Sequence, residues 1–107
     1  MAKTYVLLDI KVTDPDAFQK YAWEVRPLLE SYGARYLIRA GEMEVIEGEW
    51  DHGLPVLLEF PDRETVDAFY RSEEYAPLLK LRLDSTEGTL SVIQGYDHIP
   101  LSAKTSK

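Results

Sequence analysis

The sequence predicts an α+β domain in which a four-stranded antiparallel sheet carries helices on one face. Three observations lead to it. Segments with period-two and helical periodicity follow one another in the order strand, helix, strand, strand, helix, strand. Each helical segment is announced by a capping residue. At 107 residues the chain holds one core of modest size and has no room for a second. The expected domain spans residues 1–100. The polar residues 101–107 lack apolar periodicity and read as a flexible tail.

The first strand is the β-branched and aromatic run Tyr5 to Val12. Thr13 or Asp14 caps the helix that follows, Pro15 suits its first position, and Phe18, Tyr21, Ala22, Val25, Leu29 and Tyr32 form one apolar face ended by Gly33. Pro27 interrupts that pattern, which predicts a kink or short break near Arg26. Arg35 to Ala40 alternates as a second strand, Gly41 marks a turn, and Glu44 to Trp50 reads as a further short strand. After the turn Asp51-His52-Gly53, Pro55 to Phe60 is the third main strand, closed by Pro61. Asp62 caps a short helix bearing Val66, Phe69 and Tyr70, and Ser72 caps a second helical segment from Glu73 to about Leu83. Gly88 precedes the last strand, Leu90 to Gly95. Two βαβ-like halves in this order give the ferredoxin-like βαββαβ arrangement.

Composition excludes more than it proposes. Twelve Lys and Arg against nineteen Asp and Glu give a net charge of -7, the wrong sign for nucleic acid or an anionic membrane. With no cysteine there is no thiolate nucleophile, disulfide or Cys-based metal site, and two histidines, His52 and His98, are too few for a multi-histidine centre. The N-terminal apolar stretch is broken by Asp9, unlike a signal peptide, and no stretch has the length of a membrane span. A cytoplasmic location is expected.

The alternation along the strands predicts a partner. Val6, Leu8, Ile10 and Val12 form one apolar row, yet the opposite row mixes Tyr5 and Leu7 with Asp9 and Lys11. Leu57 and Ile93 also fall on that second face. A second copy packed sheet against sheet is the economical cover, although scattered surface aliphatics need none.

The ordered set Tyr32-Gly33-Ala34-Arg35, Arg39-Ala40-Gly41, Val45 to Trp50, Glu59-Phe60-Pro61 and Phe69-Tyr70-Arg71-Ser72-Glu73-Glu74-Tyr75 resembles small bacterial proteins grouped as a domain of unknown function in the dimeric α+β barrel superfamily. The resemblance covers about residues 4–96. It implies a ferredoxin-like protomer and a dimer whose two sheets form a barrel, and no particular reaction. Superfamily relatives include cofactor-free monooxygenases, muconolactone isomerases and haem-dependent enzymes, among which fold cannot choose. Neither His52 nor His98 has the helical setting of a proximal haem ligand, and the adjacent Asp97 and His98 point apart on a strand exit.

Two groups of residues are candidates for chemistry. Asp9, Arg39 and Glu59 fall in step with the second sheet face, and strand order brings them side by side. Arg39 would then anchor an anionic or carbonyl-bearing ligand while a carboxylate moves a proton; the competing reading is an ion-pair network that registers two sheets. On the last helix Tyr75, Leu78, Leu79 and Arg82 share a stripe, placing a guanidinium toward the sheet, where Tyr21, Tyr32 and Tyr70 add hydroxyls and Ser72 lies nearby. Arg82 otherwise snorkels to solvent or pairs with Glu47 or Glu74, with the tyrosines as amphipathic core. Trp23 and Trp50 read as interface fillers, and Glu42, Glu44, Glu47, Glu49 and Asp51 as a solvated acidic edge.

The expected function is therefore a small homodimer that uses Arg and Tyr to polarise a carbonyl, with Glu47, Glu59 or Asp9 as base. It would act without metal or organic cofactor in isomerisation or oxygenation of a small acidic or phenolic compound. The alternative is a non-catalytic dimer that binds a small metabolite.

Overall fold

A computed structural model describes residues 2–50 and 53–96. Strand β1 (Thr4–Val12) leads into helix α1 (Pro15–Ser31), followed by β2 (Arg35–Arg39), β3 (Leu54–Phe60), α2 (Arg63–Tyr70), α3 (Tyr75–Ser85) and β4 (Thr86–Gln94). The four strands form one antiparallel sheet in the order β2-β3-β1-β4, the ferredoxin-like order. The tail and the pair Asp97 and His98 lie outside the described residues, as does His52.

The core forms where the even-numbered row of β1 meets the helices. Val6, Leu8 and Ile10 stand opposite Leu58, Val56 and Leu54, and the first five of these are buried with Phe60 beneath Tyr21, Val25 and Leu29 of α1 and Val66, Phe69 and Tyr75 of α2 and α3. The caps are where the sequence predicts them. Asp14 accepts from the Ala17 N–H at 3.2 Å, and Asp62 accepts from the Thr65 N–H at 2.8 Å. The Ser72 hydroxyl donates to the Phe69 carbonyl at 2.9 Å and accepts from the Tyr75 N–H at 3.1 Å, stitching the end of α2 to the start of α3. Backbone N–H groups of Thr13 and Asp14 both donate to the Ser85 carbonyl, which ties the start of α1 to the end of α3.

Three local expectations need correction. Helix α1 continues through Pro27 without the short break, because Pro27 lies on the exposed outer side, where the carbonyl it deprives of a partner meets water. Glu44 to Trp50 is no strand but part of an exposed connection. Ala40 adopts φ 54, which ends β2, and Met43, Val45, Ile46 and Trp50 stay largely exposed in the connection that follows. Strand β4 begins at Thr86, so Gly88 sits inside it, opposite Ile10. There φ is 145, and a Cβ would meet the Asp9 carbonyl oxygen at 1.9 Å, so only glycine allows the edge strand to lie this close to β1.

A bulge between Tyr36 and Ile38 has the largest consequence. Arg35 pairs with Glu59 and Tyr36 with Leu58, but Ile38 pairs with Leu57 and Arg39 with Val56. The extra residue, Leu37, transfers Arg39 from the open face to the helix face. On the open face the same shift puts Ile38 in line with Leu57 and Leu7 across three strands.

Candidate functional site

The site is built from α3 inward. Ser72 sets the start of that helix, so that Tyr75 enters the core with 1% of its surface exposed, and Arg82, two turns later on the same stripe, follows it with 5%. The Arg82 Nε donates to the Tyr75 hydroxyl oxygen at 3.3 Å, and that oxygen lies 3.0 Å from the hydroxyl of buried Tyr21 on α1. The rings of Phe69 and Tyr70 pack on Tyr75 with centroids 4.4 and 5.8 Å away. Arg82 forms no ion pair with any described carboxylate, so the suggested partners Glu47 and Glu74 are not engaged. Its two terminal amino groups have no hydrogen-bond partner among the described residues. Because no buried polar side-chain atom is left without one, these groups reach open space.

That space is a cavity of about 170 Å³ between α1, α3 and the sheet, lined mainly by apolar side chains together with Tyr21, Tyr36, Arg39 and Arg82. The bulge brings Tyr36 and Arg39 here, with the Arg39 guanidinium 5.2 Å from the Tyr36 ring centroid. A second cavity, of about 220 Å³, lies under α2 and is lined by Tyr21, Tyr70, Tyr75, Arg71 and the ion pair of Arg63 with Asp67 among apolar residues. Among the described residues no three His, Cys, Asp or Glu side chains gather closely enough to hold a metal ion.

The proposed bases lie elsewhere. Asp9 is buried on the opposite side of the sheet, where its Oδ1 accepts from the Gly53 N–H at 2.7 Å and ties the end of the β2–β3 connection to β1. Glu59 accepts from Arg35 Nε at 2.8 Å on that same open face. Since Asp9 stands opposite Pro55, four residues from Glu59 along β3, about 13 Å separates the two positions. The row of Asp9, Arg39 and Glu59 therefore does not form: the bulge moves Arg39 to the other face and the register spreads the carboxylates. Glu47 is exposed in the connection, and Ser72 lines neither cavity because its hydroxyl is spent on the backbone. Tyr36 was not legible as a site residue, since nothing in the alternation of β2 announces a bulge.

Electrostatics favour a protonated, cationic site. Burial, then Tyr75 and their shared hydrogen bond, raise the Tyr21 hydroxyl far above the tyrosine value of 10.0, with Arg82 pulling the other way. Burial likewise raises Tyr36 against the opposing pull of Arg39 and Arg26. For Arg82, burial disfavours the charge, but the interactions with Tyr75, Tyr21 and Tyr70 together outweigh it and raise its pKa. A tyrosine that stays protonated when folded stabilises the fold fully below the unfolded value near 10. That contribution is lost as pH rises past it, because the unfolded chain then releases protons the folded chain keeps. Urea unfolding from about pH 9 to 11 should show stability falling by about 1.4 kcal/mol in all for each such group, most of it above pH 10, and Tyr21→Phe should flatten the decline. An unchanged slope in the variant would contradict the burial of that hydroxyl.

Residues 3–96 match the family described as a domain of unknown function, DUF1330. The chain belongs to this family. Among solved structures the DUF1330 protein is similar to RPA0582, a protein of unknown function from Rhodopseudomonas palustris, with TM-score 0.72 and 14% identity over 92% of this chain and 85% of that one. The methylated form of RPA0582 gives TM-score 0.66 and 19% identity over 94% and 84%. SnoaB, a cofactor-independent oxygenase from Streptomyces nogalater, gives TM-score 0.60 and 9% identity over 94% and 99%. These likenesses show the α+β fold with its four-stranded antiparallel sheet and nothing about the reaction. Among curated proteins nothing matches the sequence. No described helix is long and apolar enough to cross a membrane.

Proposed function

We propose that this DUF1330 protein is a homodimer that binds a small acidic or phenolic metabolite in the cavity beside Arg82 and stabilises its anionic form, the enolate or phenolate that a cofactor-free isomerase or oxygenase works through. One observation carries this reading. Arg82 is 95% buried, unpaired by any described carboxylate, and presents two amino groups to an apolar cavity that Arg39 also lines. Burying a charge without a counter-ion costs several kcal/mol, and an anionic ligand is the natural compensation. In so apolar a setting the guanidinium and the Tyr75 and Tyr21 hydroxyls favour charge on a ligand oxygen, which lowers the ligand's own pKa. The protein is thus cast as polariser and anion trap. The folding likeness to SnoaB is compatible with such an enzyme.

None of Asp9, Glu47 and Glu59 lines the Arg82 cavity, and this favours a second reading, a binding dimer without turnover. Calorimetric titration of the intact protein with benzoate, salicylate and small keto acids, alongside their neutral amides, tests the shared anchor. The acids should bind at least about tenfold more tightly than the amides, and equal affinity would overturn both readings. Turnover of any acid that binds, followed by product analysis, separates the two.

The homodimer is supported by the open sheet face. There Leu7 and Leu57 lie half-buried beside Ile38 at 41% and Ile93 at 46% exposure, a contiguous apolar surface that no described helix covers.

A further inference from the structure

We infer that Tyr21 is the specificity-determining residue of the site: its side chain divides the interior of the helix face into two compartments and so limits the ligand at Arg82 to a single-ring aromatic anion. The inference rests on the reading of Arg82 as the anchor.

The two cavities share Leu8, Leu58, Leu29 and Tyr21 in their walls. Leu8 and Leu58 belong to the floor formed by β1 and β3, and Leu29 to α1. Tyr21 alone of the four spans the space from one helix to the other, because its hydroxyl, carried on α1, reaches the Tyr75 hydroxyl on α3 at 3.0 Å. Its ring is therefore a strut held at both ends, with Arg82 and Arg39 on one side and Arg63 and Tyr70 on the other.

The Arg82 compartment is small. Its 170 Å³ lies below the range of about 300–1,000 Å³ typical of sites for drug-sized ligands. Two guanidinium groups and no carboxylate line it, so the occupant is an anion. The rings of Phe18, Tyr21 and Tyr36 make most of its aromatic surface, which suits a flat ring over a branched aliphatic acid. A benzoate- or phenolate-sized compound fits beside Arg82, whereas the second ring of a fused two-ring acid would run into the wall that Tyr21 forms. Truncating Tyr21 would join the compartments and about double the space behind Arg82.

Calorimetric titration with benzoate and with 2-naphthoate tests this on the whole chain. Wild type should prefer benzoate by about tenfold or more, in keeping with the discrimination that a filled apolar pocket achieves. Tyr21→Ala should reverse the preference, while Tyr21→Phe, which keeps the ring and loses only the hydroxyl, should retain it. Circular dichroism establishes that each variant folds. Should Tyr21→Ala fail to fold, Tyr21→Leu, which keeps apolar bulk on α1 but has no ring to reach α3, opens the same divide and should shift the ratio toward 2-naphthoate. A folded opening variant with an unmoved ratio overturns the role of Tyr21 while leaving the anchor intact. Failure of both acids to bind wild type, or binding indifferent to Arg82→Met, overturns the anchor reading and this inference with it.

Discussion

Arg82→Met should abolish anion binding while leaving the fold in place. The unbranched thioether fills the volume of the arginine stem, and the exchange removes a buried charge that has no described carboxylate to satisfy it. Tyr75 loses one donor but keeps its partner Tyr21. A charge-assisted hydrogen bond is worth about 1.5–3 kcal/mol, so two from the terminal amino groups amount to a loss of about a hundredfold or more in affinity for benzoate. Thermal unfolding without ligand should show the variant as stable as the parent or more so. Unchanged affinity would mean that the anchor is another group. A collapse of unfolding temperature would instead mark Arg82 as a structural residue whose charge the fold requires.

Leu7→Glu should prevent the sheet-to-sheet dimer proposed above and leave a monomer. Leu7 pairs with Leu57 on one side and Ser91 on the other, at the middle of the open face. Two sheets packed face to face would enclose the new carboxylate in each copy, and an unpaired buried charge costs about 3 kcal/mol or more, a hundredfold or more in the dimer dissociation constant. Sedimentation at micromolar concentration reads the outcome. The helix face, with Arg82 and both cavities, lies on the other side of the sheet, so circular dichroism should stay that of the parent. A parent that sediments as a monomer, or a variant that remains dimeric, would defeat the sheet-to-sheet assembly.

Much of this architecture is legible in the chain because it depends on neighbours in sequence. The caps at Asp14 and Asp62 and the break at Ser72 follow from side-chain oxygens that meet backbone N–H groups three residues on. The stripe from Tyr75 to Arg82 follows from helical spacing alone, and it identifies the buried guanidinium correctly. Strand patterning was less dependable. The run Glu44 to Trp50 has the composition of a strand but joins no ladder of the described sheet, and Gly88 looks like a terminator although it lies within β4. Its role is visible only with the Asp9 carbonyl beside it.

The fate of Arg39 shows the boundary most clearly. Simple alternation along β2 places it with Arg35 on the open face, where it would stand near Asp9 and Glu59. One extra residue at the bulge reverses that assignment, separates it from both carboxylates and makes it a second cation of the Arg82 cavity. By itself, then, the sequence determined the α+β class, the order of elements, the family resemblance and the inward-facing arginine, all of which rest on local periodicity, capping and composition. Only the tertiary structure decided which face Arg39 joins, that the three candidate bases lie away from the Arg82 cavity, and that Tyr21 parts the interior in two. Those outcomes depend on pairing across strands and packing between helices distant in sequence, where a slip of one residue exchanges the two faces of a sheet.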